Sequence, residues 1–243
     1  MSRIKILNTE VDNLTMDEAI QRIEQLILSK KPSYVVTPNV DHIVKLEQDK
    51  EFQNVYKEAD LILTDGMPLI WISKLKKNPI KEKVSGSDLF PRVCKLAADK
   101  GYKVFLLGAA EGIAARAAEN LRSKYNGLNI VGTYSPSYGF EKKEDEIEKI
   151  IEMINEVKPD ILAVGLGAPK QEKFLYKYRK KLNVPVSLAI GASIDFEAGN
   201  MNRAPKWMQN IGLEWLYRLY QEPGRMARRY LIDDIKIIKL LFK

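Results

Sequence analysis

The chain has 243 residues, is 45% hydrophobic and carries a formal net charge of +7, with one cysteine and one histidine. That content supports one large core, or a domain with a modest appendage, and excludes a disordered chain. The lone Cys94 excludes a disulfide framework and a cysteine cage for a metal, and no segment has the roughly 20 apolar residues a membrane-spanning helix needs.

The start, MSRIKILNTEVDNL, lacks the apolar run of a secretory leader, so a cytosolic chain is expected. Thr15-Met16-Asp17-Glu18 reads as a capping box ahead of Ala19, Ile20, Ile23, Leu26 and Ile27, which have helical spacing. An apolar strand at 34–36 ends in Thr37-Pro38-Asn39, where proline blocks its continuation. A second, at 61–63, runs into Thr64-Asp65-Gly66. Asp65 has two readings: a cap for the helix that follows, or a partly desolvated general base at the mouth of a crevice.

Lys83-Val84-Ser85-Gly86-Ser87-Asp88 then enters a helix over 89–100; such a turn holds phosphate or sugar hydroxyls, or simply caps the helix. Strands at 104–107, 130–131, 161–164 and 186–190 follow, with a helix at 144–157 whose Ile147, Ile150, Ile151 and Ile154 share one face. Its first residues, Glu144-Asp145-Glu146, suit a solvated helix N-terminus. The alternation predicts an α/β fold, a Rossmann-like, mostly parallel sheet flanked by helices.

In such sheets ligands bind beyond the carboxyl ends of the strands. Three of those ends carry glycine: Gly108, Gly165 with Gly167, and Gly191. They are ordinary tight turns or places where backbone approaches a diphosphate or ribose. None spells G-x-G-x-x-G, and no acid stands where a dinucleotide unit holds its ribose, which argues against a nicotinamide dehydrogenase. His42 is the only histidine and no G-x-S-x-G elbow is present, so a serine hydrolase is disfavoured and His42 reads as a helix-surface or packing residue. With no histidine cluster or D-x-D at a strand end, chemistry without a metal or other cofactor is expected.

From Asn200 onward nine basic residues face four acidic ones, five of the seven excess charges, so an anionic partner is expected there. Read as one helix, 205–220 places Trp207, Met208, Ile211, Trp215 and Leu219 on one face, with Arg218 at its border. Pro223-Gly224 breaks it. A second helix would gather Arg228, Arg229, Lys236, Lys239 and Lys243 in one sector, with Leu231, Ile237, Ile238, Leu241 and Phe242 opposite and Ile232 and Leu240 breaking the pattern. Three uses remain for this tail: packing on the core or a homo-oligomer interface, nucleic-acid binding, and interfacial docking on an anionic membrane. Nucleic acid is disfavoured, since no stacking platform or broad basic stripe is evident. A basic amphipathic helix suits a membrane surface.

The motifs TPNVDHI (37–43), TDGMPLIW (64–71), KVSGSDLF (83–90), SPSYGF (135–140), PDILAVGLGAPKQEKF (159–174) and RAPKWMQNIGLEWLYRLYQEP (203–223) occur in order over nearly the whole chain. Together they resemble the WecG/TagA/CpsF family of bacterial glycosyltransferases, nearest its wall teichoic acid branch. The resemblance implies an inverting, metal-independent transfer of N-acetylmannosamine from a UDP sugar to undecaprenyl-diphosphate-linked N-acetylglucosamine, forming a β-1,4 bond at the inner face of the membrane. By the same resemblance, Asp65 is the catalytic base, Thr37 and Asn39 line its pocket and Gln171 lies beside it. Gly108, Gly165, Gly167 and Gly191, with Asp195, form the nucleotide side, and Arg218, Arg225 and Arg228 complete the site from the tail. Ser85 and Lys83 belong to the substrate turn; many relatives have arginine where Lys83 stands, and lysine keeps the charge while losing the two-pronged grip. The expected division is a core at 1–195 that binds the UDP sugar, and an appendage at 196–243 that meets the membrane and brings arginines over the pocket. Alternatives are a related UDP-hexosamine or hexuronate transferase and a basic nucleotide- or nucleic-acid-binding α/β protein.

Overall fold

The structure, a computed structural model, describes residues 3–241, with the side chains of Arg225 and Ile238 outside that description. Six strands form one parallel sheet in the order β4 (Leu61–Ile62), β3 (Ser33–Val36), β8 (Val186–Ala189), β7 (Ile161–Gly165), β5 (Lys103–Gly108), β6 (Asn129–Tyr134). All six expected strands are present. The alternation of side chains along each strand feeds two cores. Tyr34, Val36, Phe105, Leu107, Leu162 and Val164 point into one, and Val35, Val104, Leu106, Ile161 and Ala163 into the other. Burial on both faces is why these strands read as continuous apolar runs.

Helices α1 (Met16–Ser29), α5 (Gly86–Lys100), α6 (Ile113–Lys124) and α9 (Ser193–Glu197) cover one face. The other is covered by α2 (Val40–Leu46), α3 (Lys50–Lys57), α4 (Met67–Leu75), α7 (Glu144–Val157) and α8 (Lys170–Leu182). The capping box forms as the residues required: Thr15 Oγ1 accepts from Glu18 N–H at 3.3 Å, and Thr15 N–H donates to Glu18 at 2.7 Å. An element the strand pattern did not single out is an N-terminal hairpin, β1 (Arg3–Ile6) with β2 (Thr9–Asp12). It covers the short edge strand, since Asp12 Oδ2 accepts from Ile62 N–H at 2.8 Å. A side-chain acceptor thus satisfies a backbone donor that edge pairing would otherwise leave open.

The expected boundary at 195 falls inside α9. Ile194 and Ala198 are buried between α5 and α6, so this helix belongs to the core. The appendage begins beyond Asn200, where Asn200 and Met201 N–H both return to Asp195 O. It comprises α10 (Lys206–Asn210), α11 (Glu214–Gln221), α12 (Pro223–Arg228), a π turn and a 3-10 turn over 229–236, and α13 (Ile237–Leu241).

The single helix expected over 205–220 is instead two. Gly212, at φ +77, turns the chain between them, and a Cβ there would meet Trp71 at 2.8 Å and Met67 at 2.9 Å, so the break lets the backbone sit directly on α4. The second expected helix also departs from its wheel, because the π and 3-10 turns do not advance 100° per residue. Arg229 leaves the basic sector and docks on the core, and Leu240 is buried. Leu231, Ile232 and Ile235 are exposed, beside exposed Arg228, Lys236 and Lys239. Lys243 and Phe242 lie outside the described residues.

Candidate active site

The site lies at the carboxyl ends of β3, β4, β7 and β8, under the start of the appendage. Pro38 follows the end of β3, and its carbonyl accepts from Asp65 N–H at 2.8 Å, while Thr64 O accepts from Val84 N–H at 2.8 Å. These bonds tie three loops together: the one after β3, the one after β4, and the loop leading into α5. Thr37 Oγ1 donates to Ala189 O at 3.3 Å, fixing the β3 end to β8. Gly66, at φ +93, makes the turn from Asp65 into α4 and is itself the residue before that helix, whose N-terminus has no side-chain cap. The capping reading of Asp65 therefore fails, and its carboxylate makes no hydrogen bond among the described residues.

Asp65 keeps some accessible surface, but protein crowds its carboxyl. Desolvation raises its pKa to about 6, helped by the negative charge of Glu214 and opposed by Lys83, Arg218 and His42. A second carboxylate and two long cations therefore share the space around the proposed base. Two of these, Glu214 and Arg218, come from α11.

Beneath α10, Asp88 gathers the cations. Arg203 Nη1 donates to Asp88 Oδ1 at 2.9 Å, and Lys83 and Lys206 each approach the carboxylate at 3.6 Å. Ser85, the N-cap of α5, accepts from Asp88 N–H and donates to Asp88 Oδ2 at 2.6 Å. Burial works against this charge, yet the bonds from Arg203 and Ser85 hold the Asp88 carboxyl well below the usual carboxylate range. Arg203 continues to Gln209 Oε1 at 3.0 Å, and the Phe196 ring lies 5.9 Å from the Arg203 guanidinium and 5.4 Å from that of Arg218. The Nε atoms of Arg203, Arg218 and Arg229 are buried with no hydrogen-bond partner among the described residues. Such donors incur a desolvation cost unless an acceptor meets them.

The glycines at the strand ends are in place and have distinct reasons. A Cβ on Gly108 would stand 2.3 Å from Gly165 O, and one on Gly165 would stand 2.7 Å from Gly191 O. These two are demanded by the close approach of β5, β7 and β8. Gly167 and Gly191 have positive φ with open space above them, so their side of the crevice is free for a ligand. Next to them a cleft is lined by Ala109, Ser137, Tyr138, Gly165, Leu166 and Lys170. Ser135 Oγ bonds Gly108 O and Ala110 O, and Glu146 accepts from Ser137 N–H at 2.7 Å, so the SPSYGF loop is held over it with Tyr138 almost fully exposed. Substituting Gly108 by alanine at φ +125, against a backbone carbonyl, should destabilise the fold by about 2 kcal/mol or more. Chemical denaturation measures it, and an unchanged midpoint would contradict the packing argument.

Thr37, Asn39, Asp65, Lys83, Ser85, Arg218 and the three glycine turns thus converge on one edge of the sheet. Two other expected residues are engaged by bonds within the fold. Gln171 is buried, accepting from Gly191 N–H at 3.1 Å and donating to Glu172 at 2.7 Å, so its amide shapes the β8 turn. Asp195 accepts from Asn200 Nδ2 at 3.0 Å and shapes the exit from α9. Arg228 is exposed on the tail near Asp233, and the Arg225 side chain lies outside the described residues. His42 is neither surface nor plain packing: it is buried and hydrogen-bonded to Asn39 and Glu172. Arg203, Glu214 and Arg229 were missed as site residues, although RAPKW and GLEW contain the first two. Among the described residues no cluster of three His, Cys, Asp or Glu side chains could hold a metal ion, and no helix is long and apolar enough to cross a membrane.

A doubly covered parallel sheet with a carboxylate and arginines converging at its carboxyl edge is the setting of an α/β enzyme that binds an anionic ligand. The chain belongs to the glycosyl transferase WecG/TagA/CpsF family, whose profile matches residues 4–243. It is 34% identical to an N-acetylglucosaminyldiphosphoundecaprenol N-acetyl-beta-D-mannosaminyltransferase of Bacillus spizizenii, over 82% of this chain and 75% of that protein. A Bacillus subtilis protein of the same name is 30% identical over 97% of this chain and 90% of its own length. One from Staphylococcus aureus is 26% identical over 93% and 88%.

Proposed function

We propose that this glycosyltransferase moves N-acetylmannosamine from its UDP sugar to undecaprenyl-diphosphate-linked N-acetylglucosamine, with inversion at the anomeric carbon. The names of its relatives support the substrates, and one observation carries the mechanism: the Asp65 carboxylate, unbonded among the described residues, sits at the strand ends with its pKa raised to about 6, near Lys83 and Arg218. A carboxylate so tuned is ionised at neutral pH, yet is a better proton acceptor than an ordinary one. It takes the proton of the acceptor hydroxyl as that oxygen forms its bond to the anomeric carbon and the bond to UDP breaks. The negative charge that grows on the leaving diphosphate needs fixed positive charge. Lys83, Arg203 and Arg218 provide it from two sides, held by Asp88 and by the Phe196 face. The SPSYGF cleft beside Gly165 and Lys170 is the place for the nucleoside.

The appendage and the adjoining α4 give a lipid-linked acceptor a surface to meet. Trp71, Leu75, Trp207, Ile211, Leu216 and Tyr220 are all exposed, and the tail adds three exposed aliphatics amid cations. This arrangement fits peripheral docking on the anionic inner face of the membrane. An oligomer formed through the same apolar surface is the second use it permits. The activity is tested by incubating the protein with UDP-N-acetylmannosamine, UDP-N-acetylglucosamine or a UDP-hexuronate and a soluble lipid-diphosphate-sugar analogue, then weighing the product. Addition of one N-acetylhexosamine mass from the first donor alone is expected; transfer only from another donor would overturn the assignment.

A further inference from the structure

A cleft of about 950 Å³ lies between the N-terminal hairpin, the end of α2, α3 and the end of α4. None of the residues placed in the active site lines it, and its size suits a ligand as large as a lipid headgroup with the start of a chain. Leu7, Leu46 and Ile62 give it apolar walls, and Leu240 joins them from α13. Leu7 stands at the hairpin turn at φ +54, a left-handed conformation that asparagine or glycine holds far more readily. The strain is borne for the sake of the side chain, which packs on the core and lines the cleft.

Four cations line the cleft against two carboxylates. Arg3 is committed, donating to Ala59 O at 2.7 Å and paired with Asp12 at 3.3 Å. Lys5 stands opposite Glu10 in the hairpin register, and Glu47 accepts from Asn8 Nδ2 at 3.2 Å. Lys57 and Lys76 are exposed and in no ion pair among the described residues, so they carry the surplus positive charge. Asn8 Nδ2 also donates to Ile43 O at 3.0 Å, which leaves Asn8 Oδ1 buried with no hydrogen-bond partner among the described residues. A hydroxyl would satisfy it. Lys76 directly follows Leu75, and Leu75 and Trp71, one turn apart on α4, are 75% and 50% exposed. The cleft is therefore continuous with an apolar flank of the surface.

We propose that this cleft binds one anionic lipid of the bilayer, with its phosphate held by Lys57 and Lys76 and the first part of an acyl chain against Leu7, Leu46 and Leu240. A soluble phosphate would meet the cations and leave the apolar walls unused. A zwitterionic lipid would cover the walls and bring no net charge to the lysines. Because Leu240 belongs to the tail and Leu7 to the hairpin, a lipid between them also ties the end of the appendage to the core. The inference rests on the membrane docking proposed above in setting the Trp71 and Leu75 flank at the bilayer.

Titrating the full chain with dihexanoyl phosphatidylglycerol below its micellar concentration, followed by ¹H–¹⁵N NMR, tests the cleft without a bilayer. The amides of Asn8, Lys57 and Asn78 should shift, and glycerol phosphate and dihexanoyl phosphatidylcholine should each act far more weakly. Lys57→Gln with Lys76→Gln should remove those shifts and weaken flotation with phosphatidylglycerol vesicles about fivefold for each lysine lost. Both lysines are exposed, so the fold and turnover on a soluble acceptor analogue should hold. Lys180→Gln with Lys181→Gln, at the end of α8 and outside the cleft, should change neither reading. Shifts that miss the cleft, an equal response to the zwitterionic lipid or to glycerol phosphate, or an equal loss in the α8 pair would overturn the proposal. Short-lipid binding in the cleft by a protein that fails to float with vesicles would count for the cleft and against the membrane docking.

Discussion

Asp65→Asn is expected to lower turnover by about 10²–10⁴ while leaving the fold and UDP binding intact, the usual cost of removing a general base. The substitution preserves shape and removes only the ability to accept a proton. Its neighbours sharpen the expectation. Burial and Glu214 raise the Asp65 pKa against Lys83 and Arg218, so an amide in its place also relieves a like-charge contact with Glu214. The protein should accordingly be no less stable, and a loss of activity could not be assigned to unfolding. Near-normal turnover in Asp65→Asn, with the thermal midpoint unchanged, would remove Asp65 from the mechanism.

The second large effect concerns the appendage. Cutting after Asn200 spares α9, whose Ile194 and Ala198 fill the core between α5 and α6, whereas a cut at 195 would leave that space empty. The shortened chain should fold and bind UDP, because the glycine turns and the SPSYGF cleft are all core elements. It loses Arg203 and Arg218, and removing even one preorganised group that stabilises transition-state charge typically costs about 10²–10³ in rate. Turnover on a lipid-linked acceptor should fall by at least that factor. Flotation with anionic vesicles should be lost with it, and flotation of the full chain should weaken as salt rises. Full activity in the shortened protein would refute the role given to the appendage.

The core was legible because its determinants are local. Strands buried on both faces announce themselves as apolar runs, the Thr15–Glu18 box as a four-residue motif, and strand-end glycines as chain punctuation. The appendage was not, because its course depends on what it packs against. Gly212 breaks an otherwise helical stretch since Trp71 lies beneath it, and the π and 3-10 turns over 229–236 rotate Arg229 inward and Ile232 outward.

The site divides the same way. Asp65, Thr37 and Asn39 follow strand ends and could be found by position. Arg203 and Glu214 reach the crevice only through tertiary folding, and the pull of Asp88 on Arg203 spans 115 residues. Gln171 and His42 look like pocket and surface residues in one dimension, but in the fold they are links in a buried hydrogen-bond chain.

The claim that a raised carboxyl accepts the substrate proton is tested most directly by kcat/KM against pH, which reports groups of the free enzyme. The base works only when ionised, so activity should be full above its pKa and fall as pH drops through about 6, toward a tenfold loss per pH unit. That acid limb should vanish in Asp65→Asn. A wild-type profile that stays level to the ordinary carboxylate range, or an acid limb near 6 that persists in Asp65→Asn, would contradict the account.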